Sequence, residues 1–255
     1  VQYGRLQELK DRLGRYTVEQ RERARAQANP FEGLGRSIFS TRAALKLANT
    51  DAVLHLAPDI FTLDKQQSEQ SRTWADIASG PGSFTQYWQY RYPAGMGYGI
   101  TLALPSLDWT PAMVNLDRFL AYYGPDGSGD LYRYHDHFVQ LVLREQPMGV
   151  DVVTGDGGFD VDDPLRARQQ EFLSSRLLLC QAIVGIGATR EGGNFLVKVF
   201  DTVTLVSAQI IYLLSLSFRE VILFKPVSSR PANGERYLVC RGRVADVKYY
   251  YDGLV

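Results

Sequence analysis

"ADIASGPGSF", residues 75–84, is the stretch on which the fold turns. A short apolar strand over 73–79 runs into a glycine-rich turn, and a helix opens near Phe84. Two readings of the turn stand side by side. It is a tight turn that needs glycine only for its backbone, or a cradle where a ligand approaches closely and helix N-terminal amides meet negative charge. The spacing is not G-x-G-x-x-G, so a dinucleotide is disfavoured. A G-x-G turn preceded by an acid, Asp76, suits S-adenosylmethionine (SAM), whose methionine end carries a carboxylate and an amine.

Outward from this turn, strands and helices alternate. Strands are expected over 73–79, 95–102, 118–124, 149–155, 192–200, 220–226 and 235–244. Helices are expected over 5–28, 40–54, from Phe84, and over 131–145, 165–188 and 203–218. Pro30 in "NPFE" ends the first of them. Residues 57–72 read as a polar connection and 103–118 as a loop. The pattern predicts an α/β fold, a mostly parallel seven-stranded sheet with helices on both faces. The last two strands have no helix between them, so the final strand is expected to be antiparallel.

The 255 residues suffice for one domain with a full core. Basic and acidic residues balance at 28 each, yet the distribution is uneven: residues 5–25 hold seven Arg or Lys against four acids. A nucleic-acid partner is compatible with that local excess. Cys180 and Cys240 lie in apolar runs and read as buried thiols of a reducing compartment rather than a disulfide. No Cys/His pattern points to a metal, and His55, His135 and His137 read as solvated. No apolar run reaches membrane-spanning length, and no secretory signal is visible. The chain starts with Val1, which reads as a trimmed or excised piece.

Four further stretches carry candidate chemistry. In "DVVTGDGGF" (151–159), Asp156 follows a strand end, where parallel α/β sheets bind ligands; a turn Asp bonding its own backbone is the plainer reading. In "NFLVKVFD" (194–201), Lys198 interrupts an apolar strand near its carboxyl end. It projects into the same crevice, or snorkels to water from an edge. "KPVSSRPANGERY" (225–237) reads as a phosphate-contacting loop ending in a positioned carboxylate, Glu235, or as an ordinary surface loop. Lys46 in "RAALKLAN" is on its own an exposed helix lysine.

Together these stretches resemble the FtsJ-like 2′-O-ribose RNA methyltransferases, and within them the cap-specific mRNA branch. The resemblance runs from "ANPFE" to "ERYLVCRG", through "RAALKLAN", "SGPGSF", "GDGGF", "LLLCQ", "GGNFLVKVFD" and "FKPVSSRPANGERYLVC". It implies a Rossmann-like SAM-dependent methyltransferase fold in a single domain over 1–255. A helical extension, 1–55, that contacts RNA and cap would pack on a 73–244 core. It implies a Lys-Asp-Lys-Glu tetrad at Lys46, Asp156, Lys198 and Glu235. The SAM site would take Asp76, Ser79, Gly80, Pro81, Gly82, Ser83, Phe84, Asp130 and Asp156. RNA and cap contacts carry over to Arg25, Arg42, Ser229, Arg230 and Asn233. Ser83 stands where many members have glycine, and Thr101–Leu102 lacks the acid that often holds a ribose.

The implied reaction is in-line attack by a ribose 2′-hydroxyl of capped mRNA on the SAM methyl, with no metal. A hydroxyl so weakly acidic calls for a general base, and a lysine amine serves when burial and nearby cations favour its neutral form. The implied setting is the nucleus of a cell, or the cytoplasm or particle of a virus, in association with other capping or transcription proteins and no membrane. Rival readings are a ribosomal or transfer RNA 2′-O-methyltransferase, an inactive RNA-binding adaptor, and, weakest, a nucleotide-binding oxidoreductase.

Overall fold

The computed structural model describes residues 2–34, 38–57, 72–78, 80–159 and 169–245. Seven strands form one sheet: β1 (Thr73–Ile77), β2 (Met96–Ile100), β3 (Phe119–Tyr122), β4 (Val150–Gly155), β5 (Thr189–Phe200), β6 (Phe218–Phe224) and β7 (Glu235–Arg243). Their spatial order is β3-β2-β1-β4-β5-β7-β6. β3, β2, β1, β4 and β5 pair in parallel, and β7 runs antiparallel to both β5 and β6. The expected α/β sheet and its reversed last strand are both present.

The helices are α1 (Gln2–Gly14), α2 (Val18–Ala28), α3 (Arg42–Leu54), α4 (Ser83–Arg91), α5 (Leu131–Glu145), α6 (Gln170–Ala188) and α7 (Leu205–Ser217). The expected single helix over 5–28 is two helices. Thr17 starts the second with a reciprocal capping box, accepting from the Gln20 amide while the Gln20 side chain accepts from its own. Two apolar layers flank the sheet. Tyr134, Phe138 and Val142 of α5 and Leu178, Ala182 and Ile186 of α6 press on Ala75, Val153 and Phe195. On the other face, Ala44 and Leu47 of α3 and Phe84 and Trp88 of α4 meet Trp74, Leu196, Tyr237 and Val239. α6 has the length and apolarity of a membrane span, but two thirds of it is buried inside the protein as a core helix. Cys180 and Cys240 are both buried and unpaired.

β2 shows why a strand can carry two glycines. A Cβ on Gly97 would lie 2.5 Å from the buried Trp74 ring, and one on Gly99 2.3 Å from Phe119. Each glycine makes room for an aromatic ring that the sheet face needs.

The segment after α2 docks on the far end of the sheet. The Asn29 side-chain amide donates to the Ser229 carbonyl at 3.3 Å. Glu32 receives Arg42 at 2.6 Å on one oxygen and Arg230 at 2.8 Å on the other. The Arg230 hydrogen bonds, opposed by burial and helped by Arg42, hold the Glu32 carboxyl down at about 2.

Two outcomes follow from this packing. Gly97→Ala overpacks the β2–Trp74 contact and lowers unfolding free energy by about 1–3 kcal/mol in denaturant melts. For the clamp, a depressed carboxyl stabilises the fold above its ordinary value of 4.5, and that gain disappears as pH falls through about 2. The stability gap between wild type and Glu32→Gln therefore stays constant from neutral pH to about 5 and shrinks below it; a gap that is flat down to pH 2 contradicts the clamp.

Candidate active site

The parallel strands end on one edge, and most of the expected site residues gather there. β1 leads through Ala78, which adopts a left-handed φ of 51°, to the glycine turn. Ser79 lies outside the described residues. Gly80, Pro81 and Gly82 form the turn, and Gly82 is the N-cap of α4 with φ 112°. α2, α3, α5 and α7 each start with a side-chain oxygen accepting a first-turn amide, from Thr17, Thr41, Asp130 and Thr204. α4 has no such cap. Its first-turn amides, at Ser83 and Phe84 among others, are the kind of donors that receive a carboxylate.

The glycines also serve an internal contact. A Cβ on Gly80 would lie 1.8 Å from the Leu107 carbonyl oxygen, and one on Gly82 2.6 Å from the Trp109 ring. The 101–114 segment thus covers one side of the turn, and the two readings of the turn are compatible. Ser83 Oγ is 2.7 Å from Thr41 Oγ1, tying α4 to the start of α3.

Asp76 is fully buried in β1. Its carboxylate accepts from Thr85 at 2.6 Å and from Thr154 at 2.9 Å, so those contacts brace β1 against α4 and β4. Asp130 caps α5 by accepting the Tyr132 amide at 2.9 Å. Asp76 thus lies within the sheet, and Asp130 at the start of α5, after β3.

The four tetrad residues come together as two ion pairs. Lys198 Nζ is 3.2 Å from Asp156 Oδ1, and Lys46 Nζ is 2.8 Å from Glu235 Oε1 and 2.9 Å from Oε2. The reason lies in strand register. Lys198 of β5 faces Tyr237 of β7, and Phe200 faces Glu235. Directly opposed antiparallel residues, and residues two apart along a strand, share a face. Lys198, Glu235 and Tyr237 therefore point to the side where α3 supplies Lys46.

Tyr237, missing from the sequence-based site, donates to Asp156 Oδ1 at 2.9 Å. Burial first, then the Asp156 and Glu235 charges, raise its hydroxyl well above 10, so it stays a donor. Its place two residues after Glu235 was the available signal. Burial pushes the Glu235 carboxyl up, but Lys46, Ser229 and Lys198 outweigh it and leave it below the ordinary carboxylate value.

The expected RNA contacts divide. Ser229 donates its hydroxyl to Glu235 at 2.7 Å and is buried. Arg42 and Arg230 converge on Glu32. The Asn233 side-chain oxygen accepts from Lys225 at 2.8 Å. Arg25 lies in the last turn of α2, away from these groups in sequence and half-buried. Among the described residues, no group of three or more His, Cys, Asp or Glu side chains is arranged to hold a metal.

Comparisons with known proteins bear on this geometry. The chain is 40% identical over 245 residues to the cap-specific mRNA (nucleoside-2′-O-)-methyltransferase 1 of Danio rerio, covering 88% of this chain and 29% of that protein. For the Homo sapiens protein of the same name the identity is 38%, over 91% of this chain and 30% of that one. The Drosophila melanogaster protein is 34% identical over 90% of this chain and 30% of its own length. The chain thus spans under a third of the length of the curated relatives it matches. A crystal structure of a Plasmodium falciparum protein described as a ribosomal RNA methyltransferase superposes with TM-score 0.52, covering 80% of this chain and 98% of that one. At 19% identity, that likeness speaks for the fold alone. Residues 39–243 match the FtsJ-like methyltransferase family. With a match over most of its length, the chain belongs to the FtsJ-like methyltransferases.

Proposed function

We propose that this chain transfers a methyl group from SAM to the ribose 2′-hydroxyl of the first transcribed nucleotide of capped mRNA. The observation that carries the reading is the convergence of Lys46, Asp156, Lys198 and Glu235 on one sheet face, two lysines each held by a carboxylate. The names of the relatives at 34–40% identity support the choice of substrate.

SAM, when bound, supplies an electrophilic sulfonium methyl. The chain's residues fit its methionine end: α4 begins without a side-chain cap beyond a glycine turn, and its amides suit a carboxylate. Asp130 and Asp156 border the same strand edge. In its neutral amine form, Lys198 Nζ would take the proton of the ribose hydroxyl as that oxygen attacks. Asp156 holds Lys198 at 3.2 Å and is itself fixed by Tyr237. Lys46, clamped by both Glu235 oxygens, brings a second positive charge beside the developing oxyanion. Alignment of the hydroxyl with the methyl is the larger share of the work, since the sulfonium is already reactive. Arg25, Arg42 and Arg230 are the side chains offered to the incoming capped end, and Arg side chains suit its phosphates. On this reading the chain works where transcripts are capped, beside other capping or transcription proteins, in a nucleus or in a viral setting.

Labelled methyl transfer is measured on three short RNAs: one with a methylated-guanosine cap, one uncapped, and one capped and already 2′-O-methylated on its first nucleotide. Incorporation occurs in the first alone, and Lys198→Ala lowers it by about 10²–10⁴-fold. Equal labelling of capped and uncapped RNA assigns the chain to ribosomal or transfer RNA instead. No labelling, together with no SAM binding, points to an RNA-binding adaptor.

A further inference from the structure

β6 ends at Phe224 and β7 begins at Glu235, so the loop that carries Ser229 and Arg230 spans 225–234. Closing a loop of that length costs conformational entropy unless something ties its base. The tie is Lys225. Its Nζ donates to the Asn233 carbonyl at 3.0 Å, to the Asn233 side-chain oxygen at 2.8 Å and to the Glu235 carbonyl at 2.8 Å. An ammonium has three hydrogens and no acceptor, and here there are three oxygens. The last carbonyl belongs to Glu235, whose carboxylate holds Lys46 and receives Ser229.

We propose that Lys225 is a positioning residue: it clips the 225–235 loop shut and thereby aims the Glu235 carboxylate at Lys46. The inference rests on the proposed role of the tetrad. It also reassigns Asn233, whose side-chain oxygen serves the clip rather than the RNA. Lysine suits the task better than arginine. Its compact tetrahedral head reaches three oxygens that diverge around one point, whereas a planar guanidinium fork matches two acceptors in a plane. The site strains the charge it uses. Burial first, then Arg236 and Lys46, outweigh the help of Glu235 and Asp201 and bring the Lys225 amine to about 8. Deprotonation removes the charge and one donor, so the clip depends on three good acceptors being in place.

The test compares wild type with Lys225→Met, which keeps the side chain's bulk and removes the donors. Three quantities are read: kcat and KM for capped RNA, the dissociation constant for SAM, and the carboxyl titration of Glu235 by ¹³C NMR. The expected result is a kcat lowered about tenfold or more, a SAM dissociation constant within twofold of wild type, and a Glu235 titration moved up towards that of a free carboxylate. Asn233→Ala, which removes one acceptor from an exposed turn, shows the same pattern more weakly. An unmoved Glu235 titration in both variants overturns the proposal, as does an Asn233→Ala effect confined to KM. The NMR arm needs no turnover. If wild type transfers no methyl yet the Glu235 titration still moves, the clip stands and the methyl-transfer reading fails.

Discussion

One carboxylate oxygen anchors the site. Asp156 Oδ1 accepts from the Tyr237 hydroxyl and lies 3.2 Å from Lys198 Nζ. Those two groups come from neighbouring antiparallel strands, while Asp156 follows a parallel one. The reversal of β7 is what allows it. Were β7 parallel, its amino end would lie at the opposite edge, and Glu235 and Tyr237 could not reach the crevice. The antiparallel last strand is therefore what brings Glu235 and Tyr237 to the edge where Asp156 and Lys198 meet.

The second half of the site depends on elements far apart in sequence. Lys46 is presented by α3, whose place is set by Ala44 and Leu47 in the apolar layer and by the Thr41–Ser83 contact. Glu235 is held from three directions, by Lys46, by the Ser229 hydroxyl and, through its backbone, by Lys225. Buried carboxylates are tolerable only with such partners. The Asn29 and Glu32 contacts then fasten the N-terminal segment to the same loop, through Ser229 and Arg230. The loop between β6 and β7 is thus a junction, serving the tetrad on one side and the N-terminal segment on the other.

A good part of this was legible beforehand. Strand–helix alternation predicted seven strands and a reversed last one because period and punctuation are local signals. Lys198 announced itself because an ammonium inside an apolar strand needs a partner. Other readings were incomplete for equally physical reasons. The break at Thr17 rests on a cap that local charge pattern conceals. Arg42, Arg230 and Asn233 are polar groups of the kind RNA contacts use, yet each also has a protein partner that only three-dimensional proximity supplies. Tyr237 looked like any strand aromatic until register put its hydroxyl against Asp156.

By itself, the amino-acid sequence determined which residue types stand at which strand ends: a glycine turn after β1, an acid after β4, a lysine near the end of β5 and a glutamate at the start of β7. Alternation, turns and caps depend on neighbours a few residues away, so they can be read along the chain. Tertiary structure decided the pairing. That Lys46 meets Glu235 across 189 positions, that Lys198 and Tyr237 share one oxygen, and that Glu32 gathers two arginines follow from sheet order and register. A side chain's partner is set by which faces the packed layers bring within about 3 Å, and no local signal encodes that distance.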